Sequence, residues 1–158
     1  MNESLSLRAV EPEDLPIFFA HQLDPEATRM AAFPPRDHES FMAHWTTKIL
    51  GSPEVVSRTI IWGGRVVGNV GAWTDAETQE RFICYWIGRE FWGQGLATAA
   101  VRLLIQIEPS RPLAARVVKH NVGSIRVLEK VGFTRAGEDA FTGSNGTRHE
   151  EFVYVLKE

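Results

Sequence analysis

A single cysteine, Cys84, stands in a chain of 158 residues, so no disulfide can close within it and no cysteine pattern for structural zinc is available. Excess positive charge is missing as well. The formal net charge is −3 at pH 7, and binding a phosphate backbone needs clustered Lys and Arg, so nucleic acid is not an expected partner. Nowhere do roughly 18 apolar residues follow one another, as a membrane-spanning helix requires, and the N-terminus has no basic stretch leading into an apolar one. These absences predict a cytoplasmic protein with no metal and no membrane partner. Internal repeats and low-complexity linkers are also lacking. What is present, 44% hydrophobic residues, suits one compact domain over residues 1–158 around a single core.

Leu5, Leu7 and Ala9 alternate with polar residues as a half-buried strand does. Pro12 fits the first turn of a helix, and a short helix through Leu15, Ile17 and Phe18 is predicted in spite of Pro16. Beyond Pro34 and Pro35, Asp37 can cap a second helix whose Phe41, Trp45 and Ile49 recur every four residues on one face. That stripe is either core or the wall of a cleft. Residues 55–73 are rich in β-branched and aromatic side chains, and Gly63 and Gly64 divide them into a hairpin. A third strand over 82–87, with Cys84 read as a small core residue, runs into a turn holding Gly88, Gly93 and Gly95. Residues 96–107 are apolar on nearly every side and predict a buried helix, ended by Pro109 and Pro112. A strand over 113–118 and a helix over 121–131, closed by Gly132 as its C-cap, come next. Two strands then flank the turn-rich segment 143–147. The order β-α-α-β-β-β-α-β-α-β-β implies a mixed sheet covered by helices, an α/β or α+β fold.

The informative stretch is 85–101, where a strand passes through two closely spaced glycines directly into a helix. The first four N–H groups of a helix lack internal partners, and the summed peptide dipole places about half a positive charge there. Glycines let the backbone turn tightly and approach a ligand with no Cβ in the way. Residues 96–101 contain no Asp or Glu, although acidic residues favour a first helical turn, so the position is left open for an external anion. Taken alone, the glycine pair also fits a tight connection and nothing more. Neither nucleotide alternative fits, because no Lys-Ser or Lys-Thr follows as in a P-loop and the spacing is not that of a dinucleotide fingerprint.

Three stretches in order, LRAVEPEDLPIFF (7–19), YWIGREFWGQGLATAA (85–100) and KHNVGSIRVLEKVGF (119–133), resemble the GCN5-related N-acetyltransferase (GNAT) superfamily. The likeness is strongest to the branch containing ribosomal-protein-alanine N-acetyltransferases and their relatives that acetylate small molecules. Trp92, Gly93, Gln94, Gly95, Leu96 and Ala97 stand over that family's pyrophosphate-loop pattern. The later stretch is similar to its Asn-x-x-Ser and Glu-Lys-x-Gly-Phe signature. The resemblance implies a mostly antiparallel mixed sheet, splayed where acetyl-CoA enters. It also implies acetyl transfer to a primary amine of a small molecule or a protein N-terminus, by a monomer or homodimer.

Residue by residue, the resemblance implies that main-chain groups of Trp86 and Ile87 hold the pantetheine arm and that amides from Gln94 through Thr98 hold the pyrophosphate. Asn121 would bond the cofactor from the other side or simply cap its helix. Ser124 resembles a serine assigned as proton donor to the departing thiolate, with a local bond to the helix backbone as its alternative. Leu128 departs from the family, since many members carry a Tyr general acid at that place. A binding-only role as an acyl-CoA sensor or interaction module therefore stays open. For a base, Glu80 stands near the start of the third central strand, with Asp75, Glu77 and Glu138 as rivals. Tyr85 is read as a packing residue. Phe41, Trp45 and Phe141 are expected to line the acceptor cleft.

Overall fold

The computed structural model describes residues 4–143 and 146–158. A strand β1 (Leu5–Ala9) leads through a 3-10 turn (Pro12–Asp14) into α1 (Leu15–Leu23), α2 (Pro25–Ala31) and α3 (His38–Ala43), which runs on as a π-helical turn (His44–Ile49). Strands β2 (Val56–Trp62), β3 (Arg65–Thr74) and β4 (Arg81–Ile87) follow, then α4 (Leu96–Ile107), β5 (Leu113–Val118), α5 (Val122–Val131), β6 (Thr134–Thr142) and β7 (Arg148–Leu156). The sheet order is β1-β2-β3-β4-β5-β7-β6. Every neighbouring pair is antiparallel except β4 with β5. This is the expected mixed, mostly antiparallel α/β fold. No helix among the described residues is long and apolar enough to cross a membrane.

Alternation along the strands sets the two faces. Ile83 and Ile87 of β4, Leu113, Ala115 and Val117 of β5, and Tyr154 and Leu156 of β7 turn to one face and form the main core with Ala100, Val101 and Leu104 of α4 and Leu128 of α5. Cys84, the intervening residue, is exposed, which corrects its reading as core. It points to the opposite face, and its register partner on β3 is Gly71, which has no side chain to cover it.

α1, α3 and the π-helical turn after it build a second cluster from Leu15, Phe18, Phe41 and Trp45. The Phe18 and Trp45 rings lie 5.0 Å apart and those of Phe41 and Trp45 6.0 Å apart. Asp14 fastens this cap to the sheet. It accepts from both Arg8 guanidinium nitrogens (2.7 and 2.8 Å), from the Thr59 hydroxyl (2.7 Å) and from the Glu11 amide (2.8 Å). Its burial alone raises its proton affinity, but those donors outweigh burial and hold the carboxyl at about 2, below its ordinary 3.8.

One element escaped the sequence reading. α2 starts at Pro25 behind Asp24, whose carboxylate accepts from the Ala27 amide at 2.8 Å. Part of the predicted turn at 143–147 falls on residues 144 and 145, outside the described residues.

Candidate functional site

β4 and β5 pair in parallel at Arg81 with Leu113 and at Phe82 with Ala114, and among the described residues nowhere further along. Both strands continue past that point, so they part as they run and leave a V-shaped opening toward Ile87 and Val118. The splay that the family resemblance implies is present. A cleft of about 490 Å³ fills it, walled by β4, the start of α4, one face of α5 and the missed helix α2 through Ala27, Met30 and Ala31.

α4 begins at Gly95 with no side chain capping it and no acidic residue in its first turn. Gly93 (φ 80°) and Gly95 (φ 76°) both occupy the left-handed region. A Cβ built on either would meet nothing within 4 Å, so the backbone angle, not crowding, calls for glycine there. The Trp92 indole donates to the Ile87 carbonyl at 2.9 Å, which ties the loop back to the end of β4. An uncapped helix start facing a cleft offers main-chain donors and positive dipole to a phosphate group. The residues present therefore fit a diphosphate.

Trp86, Ile87, Trp92, Gly93, Gly95, Leu96, Ala97 and Thr98 all line the cleft. Gln94 is exposed between the two glycines. From the opposite wall come Asn121 and Ser124. Asn121 is the N-cap of α5, accepting from the Ser124 amide at 3.3 Å, so it caps and lines the cleft together.

The sequence reading missed Tyr85. Its hydroxyl crosses the opening to make a short hydrogen bond with the Ser124 hydroxyl and stands 3.4 Å from the Ser124 carbonyl oxygen. Burial pushes the phenol up to about 12, against a smaller downward pull from Ser124, so at neutral pH it is a protonated donor. The available signal was strand parity. Ile83, Tyr85 and Ile87 share one face, and only Tyr85 brings a polar tip into that row. Leu128, where many GNAT members carry a tyrosine, is 1% exposed and packs into the core.

Glu80 is not brought to the cleft. It is exposed in the β3–β4 turn, where its carbonyl accepts from the Asp75 amide at 2.9 Å. The cleft opens at the far end of β4, and five residues of strand separate Glu80 from Tyr85 by roughly 16 Å. Asp75 shapes the same turn by accepting from the Glu77 and Thr78 amides, and Glu138 is paired with Lys119 at 3.3 Å. No Asp or Glu among the described residues lines the cleft. Phe41 and Trp45 are likewise corrected. At 4% and 6% exposure they are packed into the cluster beneath α1 and α3 and do not line the cleft between β4 and β5. Phe141, half-buried, faces His149 across β6 and β7 with ring centroids 5.2 Å apart, past the last β5–β7 pair, and does not line the cleft between β4 and β5.

Comparison with known proteins agrees with this geometry. A family model described as an acetyltransferase (GNAT) domain matches residues 4–134. The chain is 27% identical over 146 residues to the uncharacterized N-acetyltransferase p20 of Bacillus licheniformis, covering 85% of this chain and 82% of that protein. Among solved structures, the fold matches a spermidine N-acetyltransferase from Vibrio cholerae in complex with CoA and spermine, with a TM-score of 0.82, 16% identity and coverage of 97% and 95%. It also matches a ribosomal alpha-N-protein acetyltransferase (RimL) in complex with coenzyme A, with a TM-score of 0.79, 20% identity and coverage of 98% and 94%.

Proposed function

The chain belongs to the GNAT acetyltransferase family and is an N-acetyltransferase that draws on acetyl-CoA, and we propose that it delivers the acetyl group to a primary amine of a small molecule or of a protein N-terminus. The observation that carries this reading is the uncapped start of α4 opening on the splay between β4 and β5. Acetyl-CoA supplies an acyl group activated as a thioester. The main-chain amides of residues 94–98 would take the diphosphate, and the main chain of Trp86 and Ile87 would hold the pantetheine arm. With Trp92 already bonded to the Ile87 carbonyl, one of that oxygen's two lone pairs is committed within the protein.

Thiolate departure needs a proton. Ser124 lines the cleft with its hydroxyl hydrogen-bonded to the protonated Tyr85 phenol, so a proton passed from Ser124 to the sulfur can be replaced from Tyr85, which regains one from solvent through the open cleft once the products leave. The pair thus substitutes for the tyrosine absent at Leu128. An alkyl amine must also lose a proton before it attacks, since its pKa lies near 10. With Glu80 remote and no carboxylate of the described residues in the cleft lining, we assign that proton to solvent at the cleft mouth. Names of the structural neighbours support an amine acceptor, because spermidine and a ribosomal protein α-amine are both primary amines. We retain Phe141, on the edge strand β6 outside the cleft lining, only as a proposed acceptor-side residue.

The buried Leu128 favours a second reading, a binding-only acyl-CoA sensor. Thiol release from acetyl-CoA across a panel of small amines and N-terminal peptides separates the two. Acceptor-dependent release is expected. Tight CoA binding with no acceptor-dependent release would favour the sensor.

A further inference from the structure

The charge lining the cofactor cleft comes from one wall. Arg126 and Lys130 of α5 contribute to it, and no other charged side chain among the described residues does. Four residues apart on a helix, they share a face and place their Cβ atoms about 6 Å apart. Neither has a carboxylate partner among the described residues, whereas Arg8, Arg81, Arg116 and Lys119 each hold one. Both are exposed, so neither is committed to packing. Ser124 lies on the same helix and lines the same cleft, about 9 Å along the axis from Lys130. One helix wall therefore carries the reacting end and a cationic end.

The diphosphate does not need these cations, because the open start of α4 already offers main-chain donors and a dipole. Coenzyme A has a further phosphate, a monoester on the ribose 3′ oxygen, and monoesters of this kind carry nearly two negative charges at neutral pH. We propose that Arg126 and Lys130 form the subsite for that 3′-phosphate, so that the protein selects coenzyme A over its 3′-dephospho form. This rests on the reading of the cleft as the coenzyme A site. The Arg126 fork can engage two phosphate oxygens at once, while Lys130 supplies a point charge. Because both groups are in contact with solvent, their joint effect is moderate and weakens with added salt.

Titration calorimetry with coenzyme A and with 3′-dephospho-coenzyme A tests it. The wild type should bind coenzyme A about tenfold more tightly or better, and 0.5 M salt should shrink that preference. In the Arg126→Ala, Lys130→Ala double variant the ratio should fall to about one, and Arg126→Lys should restore part of it. Equal binding of both ligands by the wild type would overturn the subsite while leaving the cofactor reading intact. A double variant that weakens both ligands by the same factor would also overturn it, as a structural effect. If neither ligand binds the wild type, the cofactor reading fails together with the subsite.

Discussion

Helix starts in this chain are treated in two opposite ways. Asp24 caps α2 through the Ala27 amide, Asp37 caps α3 through the Ser40 amide, and Asn121 caps α5 through the Ser124 amide. Asp14 does similar work at the 3-10 turn, taking the Glu11 amide while Arg8 and Thr59 fill its other acceptor sites. α4 receives none of this. It has no capping side chain, no carboxylate in its first turn, and two glycines in the left-handed region in front of it. The orphan donors are the same in each case. Of the helix starts that border the cleft, those of α2 and α5 are closed by Asp24 and Asn121, and that of α4 is left open for a ligand.

The largest expected effect comes from filling the open start. Gly95→Glu places a carboxylate where the diphosphate should lie and is expected to weaken coenzyme A binding more than about 100-fold by calorimetry. Gly95→Ala carries the same left-handed strain, of order 1–2 kcal/mol, without the charge. If the alanine variant loses as much affinity as the glutamate variant, backbone strain and not anion exclusion is responsible.

At the filled end, Asp14→Ala should lower stability by roughly 2–4 kcal/mol, since it strands the Arg8 and Thr59 donors. Thermal or urea unfolding measures it. The same carboxyl predicts a pH dependence. Its folded value of about 2 lies below its ordinary 3.8, so its contribution is fully present above about pH 4 and is lost as pH falls toward 2. That contribution is about 2 kcal/mol, and in Asp14→Ala the part of the acid loss between pH 4 and 2 should shrink accordingly.

Ser124→Ala removes a hydroxyl from the cleft but leaves the Asn121 cap, which uses the main-chain amide. Turnover should drop about 10- to 100-fold with little change in KM for acetyl-CoA. A wild-type rate would reassign Ser124 to structure. The smallest effect belongs to Asp37→Ala, which should cost about 1 kcal/mol of stability and leave coenzyme A affinity unaltered. A loss of affinity there would blur the distinction between the two kinds of helix start.

Much of this was legible in the order of residues, and the exceptions share a physical cause. The α4 start could be read because its signal is local, a glycine pair followed by an apolar helix without acidic residues. The splay was legible only through family resemblance, since strand parting depends on long-range pairing. Phe41 and Trp45 show the limit of periodicity. A four-residue repeat marks a face but not what covers it, and here Leu15 and Phe18 cover it. The family resemblance points to an acid near the start of β4, where Glu80 stands, yet that strand meets the cleft at its other end. Tyr85 became visible only when α5 brought Ser124 across to it, 39 residues later in sequence. Helix α2 left a local trace in Asp24 and Pro25, which the reading passed over.

The most direct test follows backbone amide resonances while coenzyme A is titrated into uniformly labelled protein. The amides of residues 93–98 should show the largest shifts, while that of Ser40 at the carboxylate-capped start of α3, away from the cleft, stays in place. Shifts centred away from the start of α4, with residues 93–98 unmoved, would contradict the claim that its unpaired donors hold the diphosphate.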